Sequence, residues 1–126
     1  MLRTIIRILA GVTSALAVLV AVRFWMDPPL PAAQLGIGPL GPLGIATLRA
    51  DLGGFFGGAG LFALAAALRN DARFALVPLV LIGLALAGRC VTALGIGLTD
   101  DMILPIVVES VLVVLYAAAW RVLPRG

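Results

Sequence analysis

The chain has 126 residues, of which 63% are hydrophobic and 12% charged, and its mean hydropathy is +1.20. Soluble domains run nearer half apolar and a quarter charged, and a chain this short has no single core able to hide so much apolar surface, so a soluble domain is excluded and lipid is the expected solvent. The net charge of +3 rests on nine arginines with no Lys or His; these lie scattered at the ends of apolar runs, without the clustered basic footprint that phosphate neutralisation needs, so no nucleic-acid partner is expected.

A spanning helix needs about 20 mostly apolar residues. The first such run covers residues 5–26 and is broken only by Arg7 and Arg23 near its ends. It exceeds the apolar core of a secretory signal, and Arg23-Phe24-Trp25 is a poor cleavage site, so it reads as an uncleaved span. Arg23 and Asp27, spaced i,i+4, predict a weak surface pair. Residues 27–47 follow, rich in proline (Pro28, Pro29, Pro31, Pro39, Pro42) yet carrying Leu30, Leu35, Ile37, Leu40, Leu43 and Ile45. That mixture predicts an outer-surface loop lying on the membrane, with a short interfacial helix near Pro31 to Leu35. A re-entrant dip is less favoured, because unpaired backbone is costly in lipid.

The second span is expected at 48–68, the third at 74–98 and the fourth at 102–123. Arg69 to Arg73 forms a tight turn between the second and third, and Leu98 to Asp101 a tight turn between the third and fourth, with Asp100 or Asp101 as helix cap. The expected fold is thus all-α: one integral membrane domain over residues 1–126, an antiparallel bundle of four transmembrane helices. Arg3, Arg7, Arg69, Arg73, Arg121 and Arg125 fall on one side, against Arg23 and Arg49 on the other. An excess of arginine marks the cytoplasmic face, which puts both termini in the cytoplasm. Trp25, and Tyr116 with Trp120, suit the interfacial aromatic belts.

Chemistry-bearing residues are few. With no His and only Cys90, which reads as a small buried hydrophobe, neither a metal site nor a bound cofactor is expected. In the second span Gly53 with Gly57, and Gly54 with Gly58, form two overlapping small-xxx-small pairs, the spacing at which helices approach closely in lipid. They predict packing against a neighbouring span, or against another subunit. Arg89 and Glu109 are ionisable and lie well inside apolar spans, a costly placement unless they are paired or wet. Arg89 is about 12 Å of helix from the 97–99 turn and Glu109 about 10 Å from the start of the fourth span, at 1.5 Å per residue. The two charges thus reach nearly one level. Arg49 and Asp51 are expected just above them, completing an intramembrane polar cluster. It reads either as glue between spans three and four, or as a cavity for a small solute, a proton or an anionic lipid headgroup near Arg89. Thr13, Ser14, Thr92 and Ser110 are expected to bond back onto their own helices.

The stretch Leu48-Arg49-Ala50-Asp51-Leu52-Gly53-Gly54-Phe55-Phe56-Gly57-Gly58, then Ala87-Gly88-Arg89, then Glu109, resembles a widespread bacterial family of small four-helix inner-membrane proteins of unknown function. The resemblance covers nearly the whole chain and implies a four-helix bundle in which Arg49, Gly53, Gly54, Arg89 and Glu109 are the family-like positions. Three functional classes follow. A non-catalytic accessory, assembly or stabilising subunit, bound to other membrane subunits or to itself in the lipid bilayer, fits the small size and the glycine face. A small transporter, or a lipid- or small-molecule-binding protein, would use Arg89 and Glu109. An enzyme would need a nucleophile beside a base, or a metal, and the chain supplies neither.

Overall fold

The computed structural model describes residues 1–126, which are all-helical with no strand. Helix α1 runs Leu2–Met26, α2 Pro29–Gln34, α3 Gly41–Thr47, α4 Gly53–Arg69, α5 Leu76–Ile96 and α6 Asp100–Val122. A π-helical turn, Leu48–Leu52, joins α3 to α4 without a break, and a 3₁₀ turn, Ala72–Ala75, leads into α5. Four segments are long and apolar enough to cross a membrane: Leu2–Met26, Gly41–Arg69, Ala72–Ile96 and Asp100–Val122.

The second long helix therefore starts at Gly41, inside what the sequence predicts to be loop. Pro42 lies in the first turn of α3, where its missing N–H is no loss and its fixed φ suits a helix start. The short helix expected near Pro31 to Leu35 forms at Pro29–Gln34, again with proline in the first turn. The Asp27 N–H still bonds the Arg23 carbonyl, but at φ −143° its side chain leaves the helical row, and it forms no ion pair with Arg23. Thr99, not Asp100 or Asp101, is the N-cap of α6, and its hydroxyl bonds the Asp101 carboxylate instead of a backbone N–H. The two aspartates sit in the first turn, where negative charge is favoured by the helix dipole.

Packing is uneven along the bundle. At the end holding both termini, here the base, Ile6, Ala66, Ala72, Ala75, Ala119 and Leu123 form one buried cluster joining all four long segments. Above it lie Ala10, Ala63, Ala67, Ile82 and Tyr116. At the opposite end, the mouth, the buried cluster is Phe24, Ala32 and Leu48, drawn from α1, α2 and the π turn alone. No residue of α5 beyond Ile82 is buried, and none of α6 before Tyr116. The helices thus form two pairs, α1 with α4 and α5 with α6, closed together at the base and parted toward the mouth.

The α1–α4 seam is made of small residues. A methyl group at Gly60 would stand 2.9 Å from Val18 Cγ2 and 3.1 Å from the Ser14 carbonyl oxygen, so only hydrogen fits. One at Gly57 would meet Ala21 at ordinary contact distance, and one at Gly53 would enter the Trp25 indole. Gly54 and Gly58 have nothing within 4 Å and point away from α1. Arginines clasp the seam at both ends. Arg7 Nε donates to the Ala67 carbonyl at 2.7 Å, and Arg49 Nε to the Trp25 carbonyl at 2.9 Å. Each guanidinium thereby satisfies an orphan carbonyl in the last turn of the other helix and meets the negative end of its dipole.

At the base, α4 ends on Asn70 in the left-handed conformation (φ 52°), a common helix stop that asparagine tolerates. Asp71 then accepts from the Arg73 backbone N–H and guanidinium. The Arg73 side chain, with help from its backbone N–H, holds the Asp71 carboxyl below its usual range.

Candidate functional site

Where the two helix pairs part, they enclose a cavity of about 460 Å³. Helix periodicity explains which side chains reach it. From α6 come Pro105, Glu109, Leu112 and Tyr116, spaced by four, three and four residues and so on one face. From α1 come Thr13, Leu16, Ala17 and Val20, with the same logic. Helix α4 supplies Phe55, Phe56 and Ala59, α5 supplies Ile82 and Arg89, and Gln34 and Leu35 of the α2 end cover the mouth. Leu16, Leu104 and Val108 line the cavity yet stay exposed, so it opens sideways between α1 and α6.

One wall carries the charges. Arg89 Nε donates to Glu109 Oε1 at 2.8 Å, bridging α5 and α6. The Glu109 side chain is 16% exposed and that of Arg89 35%. Only Nε of the guanidinium is used; neither Nη group donates to a protein acceptor. Glu109 Oε2 is fully buried and accepts no hydrogen bond. A buried carboxylate oxygen without a donor costs free energy, which makes it the least satisfied atom of the site. Behind Arg89 a second space of about 220 Å³ is lined by Ala85, Gly88, Thr92 and Met102.

The floor is polar as well. Thr13 Oγ1 and Tyr116 Oη are 2.8 Å apart. Thr13 Oγ1 also lies 2.9 Å from the Leu9 carbonyl oxygen and 3.1 Å from that of Ala10. Each hydroxyl both donates and accepts, so either can donate to the other, and the Thr13 proton has the two backbone carbonyls as further acceptors. Tyr116 is 2% exposed and belongs to this interior, not to an interfacial belt. Nearness to the end of the fourth span suggests an interfacial belt, but the i,i+7 spacing from Glu109 places Tyr116 on the cavity face.

Of the residues singled out from sequence, the structure joins Arg89 and Glu109 and does not bring Arg49 or Asp51 to them. Arg49 is exposed at the mouth, turned onto the Trp25 carbonyl, while Trp25 Nε1 donates back to the Arg49 carbonyl at 3.2 Å. The cause is local: the residue four beyond Trp25 is Pro29, which has no N–H to offer that carbonyl. Asp51 is exposed and makes no ion pair. Cys90 is exposed too, against the expectation of burial, because Arg89 faces Glu109 and the next residue is rotated about 100° away. Thr13, Ser14, Thr92 and Ser110 all bond to carbonyls three or four residues back on their own helices. No three His, Cys, Asp or Glu side chains lie close enough together to hold a metal ion.

Comparison with family models, with curated proteins and with solved structures finds no match.

Proposed function

We propose that this is a multi-pass protein of a bacterial inner membrane, an antiparallel bundle with cytoplasmic termini, and that it binds a small amphipathic molecule drawn sideways from the bilayer. The observation that carries this reading is the cavity itself. A largely apolar space, within the 300–1,000 Å³ range of small-molecule sites, holds one ion pair whose Glu109 Oε2 is buried without a donor. Glue between α5 and α6 would need the ion pair but no cavity beside it. The arginine imbalance, six residues against two, supports the orientation.

Binding is favoured over transport because the base is sealed. Ile6, Ala66, Ala119 and Leu123 are packed between the cavity floor and that end, so access is from one side. The role is non-catalytic, since the cavity hydroxyls of Thr13 and Tyr116 have no base beside them. A second reading, the accessory or stabilising subunit, is favoured by Gly54 and Gly58. They present a small-residue face with nothing packed on it, the kind of surface a further transmembrane helix uses.

Native mass spectrometry of the protein, taken from its own membranes in mild detergent, tests both. One retained small molecule per chain is the result expected for the binding reading. A stoichiometric set of partner chains and an unliganded bundle would replace it with the subunit reading.

A further inference from the structure

We infer that the ligand is an uncharged amphiphile whose head carries both a hydrogen-bond donor and an acceptor, as a monoacylglycerol or a long-chain alcohol does. This rests on the binding reading above and narrows it by charge.

Arg89 and Glu109 together bring no net charge into the apolar surroundings. An anionic head, attractive to the guanidinium alone, would leave one uncompensated negative charge there and would stand beside the Glu109 carboxylate, a second anion. A cationic head would leave the opposite excess beside Arg89. Uncompensated charge at such depth is expensive, whereas a neutral head adds none. What the site lacks is specific. Glu109 Oε2 is buried and needs a donor, and the Arg89 Nη groups have hydrogens without protein acceptors. A hydroxyl answers both needs with one group, because it donates once and accepts twice; the Glu109 side chain is already 16% exposed, and a turn of its carboxylate brings Oε2 to the cavity surface.

The position of the head follows from the same accounting. At the floor, the Thr13 and Tyr116 hydroxyls already partner each other, whereas Glu109 Oε2 and the Arg89 Nη groups have no protein partner. The head therefore sits at Arg89 and Glu109. Tyr116 is seven residues farther along α6, about 10 Å by helix rise, and Leu112 lies between, with Phe55 and Phe56 across the cavity. That length is apolar and takes the tail.

The test is equilibrium binding of radiolabelled 1-oleoylglycerol to the protein in phosphatidylcholine nanodiscs, with unlabelled competitors of the same chain length. Oleyl alcohol should compete comparably. Methyl oleate, which accepts but cannot donate, should be about tenfold weaker, the size expected when one buried polar partner is left unmet. Oleate at alkaline pH should be weaker by a similar factor. Glu109→Gln leaves Arg89 unneutralised and should invert the order, so that oleate displaces best.

Oleate as the best competitor for the unaltered protein would overturn the inference in favour of an anionic head. Equal competition by methyl oleate would show that the donor is not read and would overturn it too. Both results leave the binding reading standing. No saturable binding of any of these amphiphiles by folded protein would remove that reading itself. The competitor order of the unaltered protein decides the matter even where Glu109→Gln fails to fold.

Discussion

Gly60 is the position at which α1 and α4 are expected to tolerate least. A Cβ there would stand 2.9 Å from Val18 Cγ2, 3.1 Å from the Ser14 carbonyl oxygen and 3.1 Å from the Val18 backbone nitrogen. Two of these three neighbours are backbone, so a side-chain rotation relieves only the first, and the helices must separate by a few tenths of an ångström. Overpacking of that kind costs about 1–3 kcal/mol. Alanine is also a better helix former than glycine by roughly 0.5–1 kcal/mol, which offsets part of the loss. Gly58→Ala has the same propensity gain, and its added methyl meets nothing within 4 Å. The difference between the two variants therefore isolates the packing cost, at about 1–3 kcal/mol. Reversible unfolding by dodecyl sulfate in mixed micelles, followed by tryptophan fluorescence, measures it. Adding Val18→Ala to Gly60→Ala should restore only part of the loss, because the backbone contacts remain. Equal stability of Gly60→Ala and Gly58→Ala would refute the close approach of the two helices.

Three further outcomes are expected. Arg7→Met should destabilise by about 1–3 kcal/mol, the value of a charge-assisted hydrogen bond, and Arg49→Met by less, because Arg7 is half-buried and Arg49 is exposed; the same unfolding assay ranks them. Asp71 contributes stability at neutral pH, since its carboxyl is held below 3.8 in the folded state; the contribution is complete above that value and is lost as pH falls through the lowered one. The gap in melting temperature between the unaltered protein and Asp71→Asn should therefore close in acid and be constant above about pH 5. In a Cys90→Ala background, a charged maleimide added outside intact cells should label Leu40→Cys, which sits at the mouth and is 89% exposed, and should spare Arg125→Cys until the cells are opened; labelling of Arg125→Cys from outside would reverse the orientation.

The helices were legible because a bilayer fixes how long an apolar run must be, and the four runs show it without periodic patterning. The meeting of Arg89 with Glu109 was legible for a related reason. Two charges at equal rise from one short turn can reach each other, and isolation would be costly for both. Other features depended on local partners that spacing does not reveal. Arg49 carries charge suited to a polar cluster, but the Trp25 carbonyl, deprived of a donor by Pro29, claims it first. The glycines of α4 look alike in sequence, yet the face of α4 turned to α1 takes in Gly53, Gly57 and Gly60 and leaves Gly54 and Gly58 outside. Residues 41–47 read as loop because proline and glycine are poor helix formers, although Pro42 in a first turn starts a helix instead of breaking one. The cavity was the least legible feature. It exists because α5 and α6 lean away from α1 and α4 above Ile82 and Tyr116, a matter of helix tilt that no single residue encodes.

If this space holds a molecule, a side chain that fills it must expel that molecule. Ala17 lines the cavity from α1, whereas the charged pair comes from α5 and α6. Ala17→Phe adds a ring to the space while leaving Arg89, Glu109 and the base intact. The measurement is native mass spectrometry of the unaltered protein and of Ala17→Phe, purified side by side from the same membranes. One small molecule per chain is expected on the unaltered protein, and its loss from an equally well-folded Ala17→Phe. Equal occupancy of the two, or a bare unaltered chain, would contradict it.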